Sequence, residues 1–138
     1  MGELLIKKHL ACRARITKLR AALPTVAEDV LKDERLEAYV SFGLFLLIQD
    51  AIDLAAHLIA ARGLGVPSSQ RESFEILAGQ GLLSKELASA MGQVAALRNR
   101  IAHSYGDVDP VRLVREAPSG MLTIERFLDA TAAPVAAA

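Results

Sequence analysis

Apolar positions along this chain recur with a helical period, and prolines and glycines interrupt them. The first stretch, Glu3 to Leu23, carries Leu5, Ile6, Leu10, Ala14, Ile16 and Leu19 as a loose stripe, and Pro24 stops it. Thr25 and Glu28 have capping-box spacing, so a short turn over 26–31 is expected. The second and longest stretch, Glu34 to Arg62, is apolar almost all round between Phe42 and Ile59 and ends at Gly63. Such a helix is either central to a bundle or shared between two subunits. A buried strand over Val40 to Ile48 competes, but the segment's length and the Asp50, Asp53, His57 spacing after it favour a helix. Gly43 marks a place where another backbone is expected to pack closely.

After a loop from Gly63 to Pro67, Ser69 with Glu72 caps a short helix over 70–79, ended by Gly79 and Gly81. Ser84 caps a fourth helix over Lys85 to Ser104, for which Gly106 supplies a left-handed cap. Asp109 and Pro110 have the form of a cap and first position of a fifth helix. Pro118-Ser119-Gly120 is expected to break or kink that helix, leaving a last one over Met121 to Thr131. The low-complexity run 132–138 reads as a disordered tail. The expectation is an all-α antiparallel bundle of about five helices, one domain over residues 1–131.

Composition agrees with that class. The chain has 138 residues, no Trp and few aromatics, and is rich in the helix formers Ala and Leu. Formal net charge is zero, so no whole-protein field attracts nucleic acid. The charge is uneven, however. Lys7, Lys8, Arg13, Arg15, Lys18 and Arg20 face only Glu3 in the first 23 residues. That segment is either a solvated helix face or a basic strip for a nucleic-acid backbone or an acidic partner. Cys12 is the only cysteine, which excludes an internal disulfide and reads as a small apolar residue. Lys7, Lys8 and Arg13 interrupt any signal-like core, and the apolar run from Tyr39 to Ile48 is too short to cross a bilayer. A soluble cytoplasmic protein is expected, without a membrane role.

Candidate chemistry concentrates between Leu97 and Pro110. Arg98, with a permanently charged fork that fits phosphate, precedes His103 by five residues and Tyr105 by seven. At about 100° per residue, Arg98 and Tyr105 share a helix face, as do Asn99 and His103, whereas Arg98 and His103 diverge by roughly 140°. Either the helix unwinds near His103 or a second copy of the chain supplies the missing group. Asp50, Asp53 and His57 lie on one stripe of the second helix and could mimic a metal site, but three ligands on one helix rarely close around a metal. Asp53 is better placed to orient Arg98 or His103, or to pair with His57. Arg100 reads as a solvated arginine, and His9 as a surface residue without a partner.

The run Arg98-Asn99-Arg100-Ile101-Ala102-His103-Ser104-Tyr105 resembles the signature of HEPN-domain toxins of the HepT type. Ala51 to Ile59 resembles that family's long second helix, and Pro67 with Phe74-Glu75-Ile76-Leu77 its next loop and helix. The resemblance covers residues 34 to 128; the Pro118-Ser119-Gly120 run departs from it. It implies a helical bundle that pairs as a homodimer, so that two motifs face one cleft. It also implies metal-independent ribonuclease activity with no cofactor, and an MntA-like minimal nucleotidyltransferase antitoxin that silences the toxin by transferring AMP to the motif tyrosine. Carried over, Arg98 and His103 are catalytic and Tyr105 is the AMP acceptor. Asn99 either contacts RNA or shapes the helix end, and Asp53 supports the site. A non-catalytic nucleotide- or RNA-binding module, or a structural partner of a nucleotidyltransferase, is the alternative; the intact Arg98 and His103 favour the enzyme.

Overall fold

The computed structural model describes residues 2–103 and 108–138. The described residues form five α-helices and one short 3₁₀ helix: α1 (Gly2–Ala22), the 3₁₀ helix (Ala27–Lys32), α2 (Glu34–Ala61), α3 (Gln70–Gly79), α4 (Lys85–His103) and α5 (Pro110–Ala137). There is no strand among the described residues, so Val40 to Ile48 is helical.

Capping residues set most of the boundaries. The side chain of Asp33 accepts from the backbone N–H groups of Arg35 and Leu36 at the start of α2. Ser69 accepts from Glu72 N for α3, and Ser84 from Leu87 N for α4. Asp109 accepts from Val111 N and Arg112 N, with Pro110 as the first helical residue of α5. These contacts satisfy donors that the first helical turn leaves unpaired. Gly63 closes α2 with φ +62°, its N–H reaching Ala60 O while Leu64 N reaches Ile59 O. The Thr25–Glu28 capping box does not form. Val26 occupies the cap without a side-chain hydrogen bond, and Glu28 pairs instead with Arg115 of α5.

α2 packs against each of the other elements, which explains why its apolar residues go nearly all round. Leu44, Leu47, Ile48, Ala51, Leu54, Ala55, Leu58 and Ile59 are all buried. By length and apolarity α2 could cross a membrane, yet half of its most apolar window is buried inside the bundle. Gly43 lies against a side chain and not against a backbone: a Cβ there would sit 2.5 Å from Leu19 Cδ2 of α1. On α1 the stripe narrows to Leu5, Cys12, Ile16 and Leu19, while Ile6 and Leu10 face outward. Burial pushes the Cys12 thiol up to about 12, with Asp50 adding to it, so Cys12 stays a protonated packing residue.

α5 is one continuous helix, contrary to the break expected at Pro118-Ser119-Gly120. Pro118 falls on the exposed face, whereas Val114, Ala117, Met121, Ile124, Phe127 and Leu128 are buried. An interior proline costs about 3 kcal/mol. Burying side chains such as Met121, Ile124, Phe127 and Leu128 returns about 1.5–3 kcal/mol each, which outweighs that cost. Phe127 also meets Phe74 of α3 edge to face, with ring centroids 5.7 Å apart. The run read as a disordered tail continues the helix to Ala137, because Val135 is buried in the core and the alanines around it are strong helix formers.

Three of the six basic residues of α1 face carboxylates within the bundle. Arg13 pairs with Asp129 at 2.6 Å, Arg20 with Glu125, and Arg15 Nε stands 3.5 Å from Asp50. His9 is not a free surface histidine: its Nε2 is 2.9 Å from Leu128 O, half-buried between α1 and α5.

Candidate functional site

The site is built where the C-terminal half of α4 lies beside the middle of α2. Three α2 residues spaced by four, Phe45, Gln49 and Asp53, fall on one stripe of that helix. Arg98 reaches back across the gap to this stripe. Its Nε donates to Gln49 Oε1 at 2.9 Å, and Gln49 Nε2 in turn donates to Asp53 Oδ1 at 2.9 Å. The Arg98 guanidinium carbon lies 4.9 Å from the centroid of the Phe45 ring, a cation–π stack. Its Nη1 donates to Asn99 Oδ1 at 3.1 Å. A half-buried guanidinium is thus held on one face, on one edge and at one corner.

Asp53 therefore acts on Arg98 at one remove, through Gln49. No hydrogen bond joins it to His57 among the described residues, and Asp50 turns away toward Arg15 on α1. The Asp50, Asp53, His57 stripe does not converge, and no group of three or more His, Cys, Asp or Glu side chains among the described residues is arranged to hold a metal. Asn99 lies against Arg98; its side chain is exposed. His103 is the last described residue of α4 and is exposed, as is Arg100. The helix stays regular through His103, so it does not unwind to bring His103 round to Arg98. The assignments made to Tyr105 and to the Gly106 cap fall outside the described residues.

Two participants escaped the reading of the sequence. Gln49 and Phe45 hold Arg98, and neither belongs to the motif. The available signal was positional: Gln49 lies one turn before Asp53, and Phe45 one turn before Gln49.

Beside this arrangement runs an apolar groove of roughly 830 Å³, floored by α2 and flanked by Leu19 of α1 and by Ile101 and Ala102 of α4. Phe42 and Phe45 stack within it, with centroids 6.3 Å apart. Phe42 remains 63% exposed and Tyr39 47% exposed, large apolar surfaces for a side chain to leave in water.

The sequence model described as Ribonuclease HepT-like matches residues 13–131. An mRNA nuclease HepT of Shewanella oneidensis is 25% identical over 129 residues, covering 94% of this chain and 96% of that protein. A tRNA nuclease HepT of Aphanizomenon flos-aquae is 36% identical over a 67-residue segment, 49% of this chain and 46% of that protein. Among solved structures, a tri-AMPylated Shewanella oneidensis HEPN toxin in complex with MNT antitoxin superposes with a TM-score of 0.85. That likeness is at 25% identity and covers 96% of this chain and 99% of that one.

Proposed function

The chain belongs to the HepT-like ribonuclease family, and from that premise we propose that it is the toxin of a toxin–antitoxin pair, an endoribonuclease acting in the cytoplasm through Arg98 and His103. The observation that carries this reading is the held guanidinium of Arg98, stacked on Phe45 and tied to Gln49, five residues before an exposed His103. RNA can be cut without a metal when its 2′-oxygen attacks the neighbouring phosphorus and the 5′-oxygen leaves, which forms a 2′,3′-cyclic phosphate. That reaction needs a base for the 2′ proton, an acid for the leaving oxygen and a cation for the charge that builds on phosphorus. Arg98 serves as the cation; one His103 serves as base and the His103 of a second copy as acid. Asn99 borders the same phosphate position.

The experiment is direct. Purified protein incubated with RNA in excess EDTA is expected to yield fragments ending in 2′,3′-cyclic phosphate. Intact RNA under conditions where the protein is folded would overturn the reading, and cleavage that EDTA abolishes would overturn the metal-free mechanism.

The same reading makes the protein a homodimer across the apolar groove. A regular α4 aims Arg98 and His103 roughly 140° apart, so one chain does not place both on one phosphate. Ile101 and Ala102 line the groove, which puts a copy docked there within a helical turn of His103. Light scattering at micromolar concentration is expected to give twice the chain mass of 14.8 kDa. Phe42→Glu, which places a charge on the exposed ring position, is expected to give monomer with little RNA cleavage. A wild-type monomer throughout that range would contradict the shared site.

The partner is a minimal nucleotidyltransferase antitoxin, supported by the MNT antitoxin bound to the Shewanella toxin. In this chain Tyr105 is the proposed acceptor of AMP.

A further inference from the structure

Arg98 is the described motif residue whose side chain hydrogen-bonds to another helix, and the tie has a direction. A guanidinium carries five N–H donors in a rigid fork. It can grip a phosphate bidentately either through Nε and one terminal nitrogen or through its two terminal nitrogens. Here Nε donates to Gln49 Oε1 at 2.9 Å, and Phe45 covers one face of the guanidinium. The edge containing Nε is therefore closed to a ligand. The edge formed by Nη1 and Nη2 remains, with Nη1 also touching Asn99.

Gln49 can serve this purpose in only one of its two amide orientations. Its oxygen must face the guanidinium, since a guanidinium donates and does not accept. Asp53 selects that orientation, because a carboxylate accepts from the amide nitrogen 2.9 Å away. Turned over, the amide would set its N–H groups against Arg98 and its oxygen against Asp53, losing both contacts. We propose that Gln49, locked by Asp53, is a positioning residue of the ribonuclease site, and that it directs the Nη1–Nη2 edge of Arg98 at the scissile phosphate. The proposal rests on the ribonuclease reading above.

A residue that merely joins α2 to α4 would affect folding; a positioning residue affects turnover. Gln49→Ala is expected to lower kcat of RNA cleavage by about ten- to a hundredfold, the scale of effect that misplacing a reacting group produces. KM and the melting temperature should change little. Gln49→Glu alone sets a carboxylate against Asp53 and should also be slow. Gln49→Glu combined with Asp53→Asn restores both contacts with the second one reversed: the guanidinium still donates to position 49, and the new amide at position 53 donates to the new carboxylate there. That double variant is expected to recover most of the lost kcat. Wild-type turnover in Gln49→Ala would overturn the proposal. So would a loss of activity that merely follows loss of folded protein, or a double variant no faster than Gln49→Glu. A second readout is independent of activity. The Arg98 Nε–H should give a slowly exchanging NMR resonance in the wild-type protein that Gln49→Ala abolishes. An inactive wild-type protein would sink the ribonuclease reading, whereas a fast-exchanging Nε–H in the wild-type protein would sink the tether alone.

Discussion

His103→Ala is expected to abolish RNA cleavage and growth arrest while leaving the bundle folded. In a shared site one His103 serves as base and the His103 of the second copy as acid, so a substitution carried by both copies removes both proton transfers. Each is worth about 10²–10⁴-fold, and groups that act as a unit are not additive, which puts the combined loss at no less than about 10²-fold. His103 is exposed and terminal in described α4, so its removal should leave the melting temperature within the scatter of surface substitutions. Arg98→Ala should be comparably inactive, because preorganised charge at a developing oxyanion contributes about 10²–10³-fold. Its cost in stability is larger. It forfeits the stack on Phe45, worth about 0.5–1 kcal/mol, and leaves Gln49 Oε1 without its donor. The test is growth of a bacterial host expressing each variant at matched soluble level, with RNA integrity followed in parallel. Equal toxicity of the wild type and both variants would refute the catalytic assignment.

Tyr105→Phe is expected to leave a toxin that its antitoxin no longer silences by modification. In the proposed switch the Tyr105 hydroxyl attacks the α-phosphorus of ATP, AMP is transferred to the phenolic oxygen and pyrophosphate leaves. Phenylalanine keeps the ring and lacks that oxygen, so no AMP can be added. The attached group brings a phosphodiester and an adenosine within two residues of His103, where the phosphate would compete with RNA for Arg98. Mass spectrometry after incubation with the nucleotidyltransferase and ATP should show added AMP on the wild-type protein and none on Tyr105→Phe. Co-expression should silence only the former. A modified Phe variant would show that Tyr105 is not the acceptor. An unmodified but fully silenced one would show that inhibition works by binding alone.

Much of the architecture was legible from local chemistry. Ser69, Ser84 and Asp109 cap the helices they precede, since the unpaired donors of a first turn need a nearby side-chain oxygen. The near-uniform apolarity of α2 allowed a central or a shared helix, and the bundle places it centrally; the family resemblance carried by Arg98 and His103 marked the candidate site. Where the sequence misled, the deciding interactions came from residues distant along the chain. Pro118 does not break α5 because the stripe from Val114 to Leu128 is held by the rest of the core, an energy no window around a proline contains. Val135 draws the alanine-rich end into the helix for the same reason. His9 finds its partner 119 residues away, in the carbonyl of Leu128. The support of Arg98 shows the same division most clearly. Gln49 and Asp53 are one turn apart and could be seen as neighbours, but Arg98 lies 49 residues from Gln49. Helical periodicity tells which residues share a face. Which face of another helix it meets, and which polar atoms then come within 3 Å or so of each other, depends on how α2 and α4 pack, and that is set by the whole core at once.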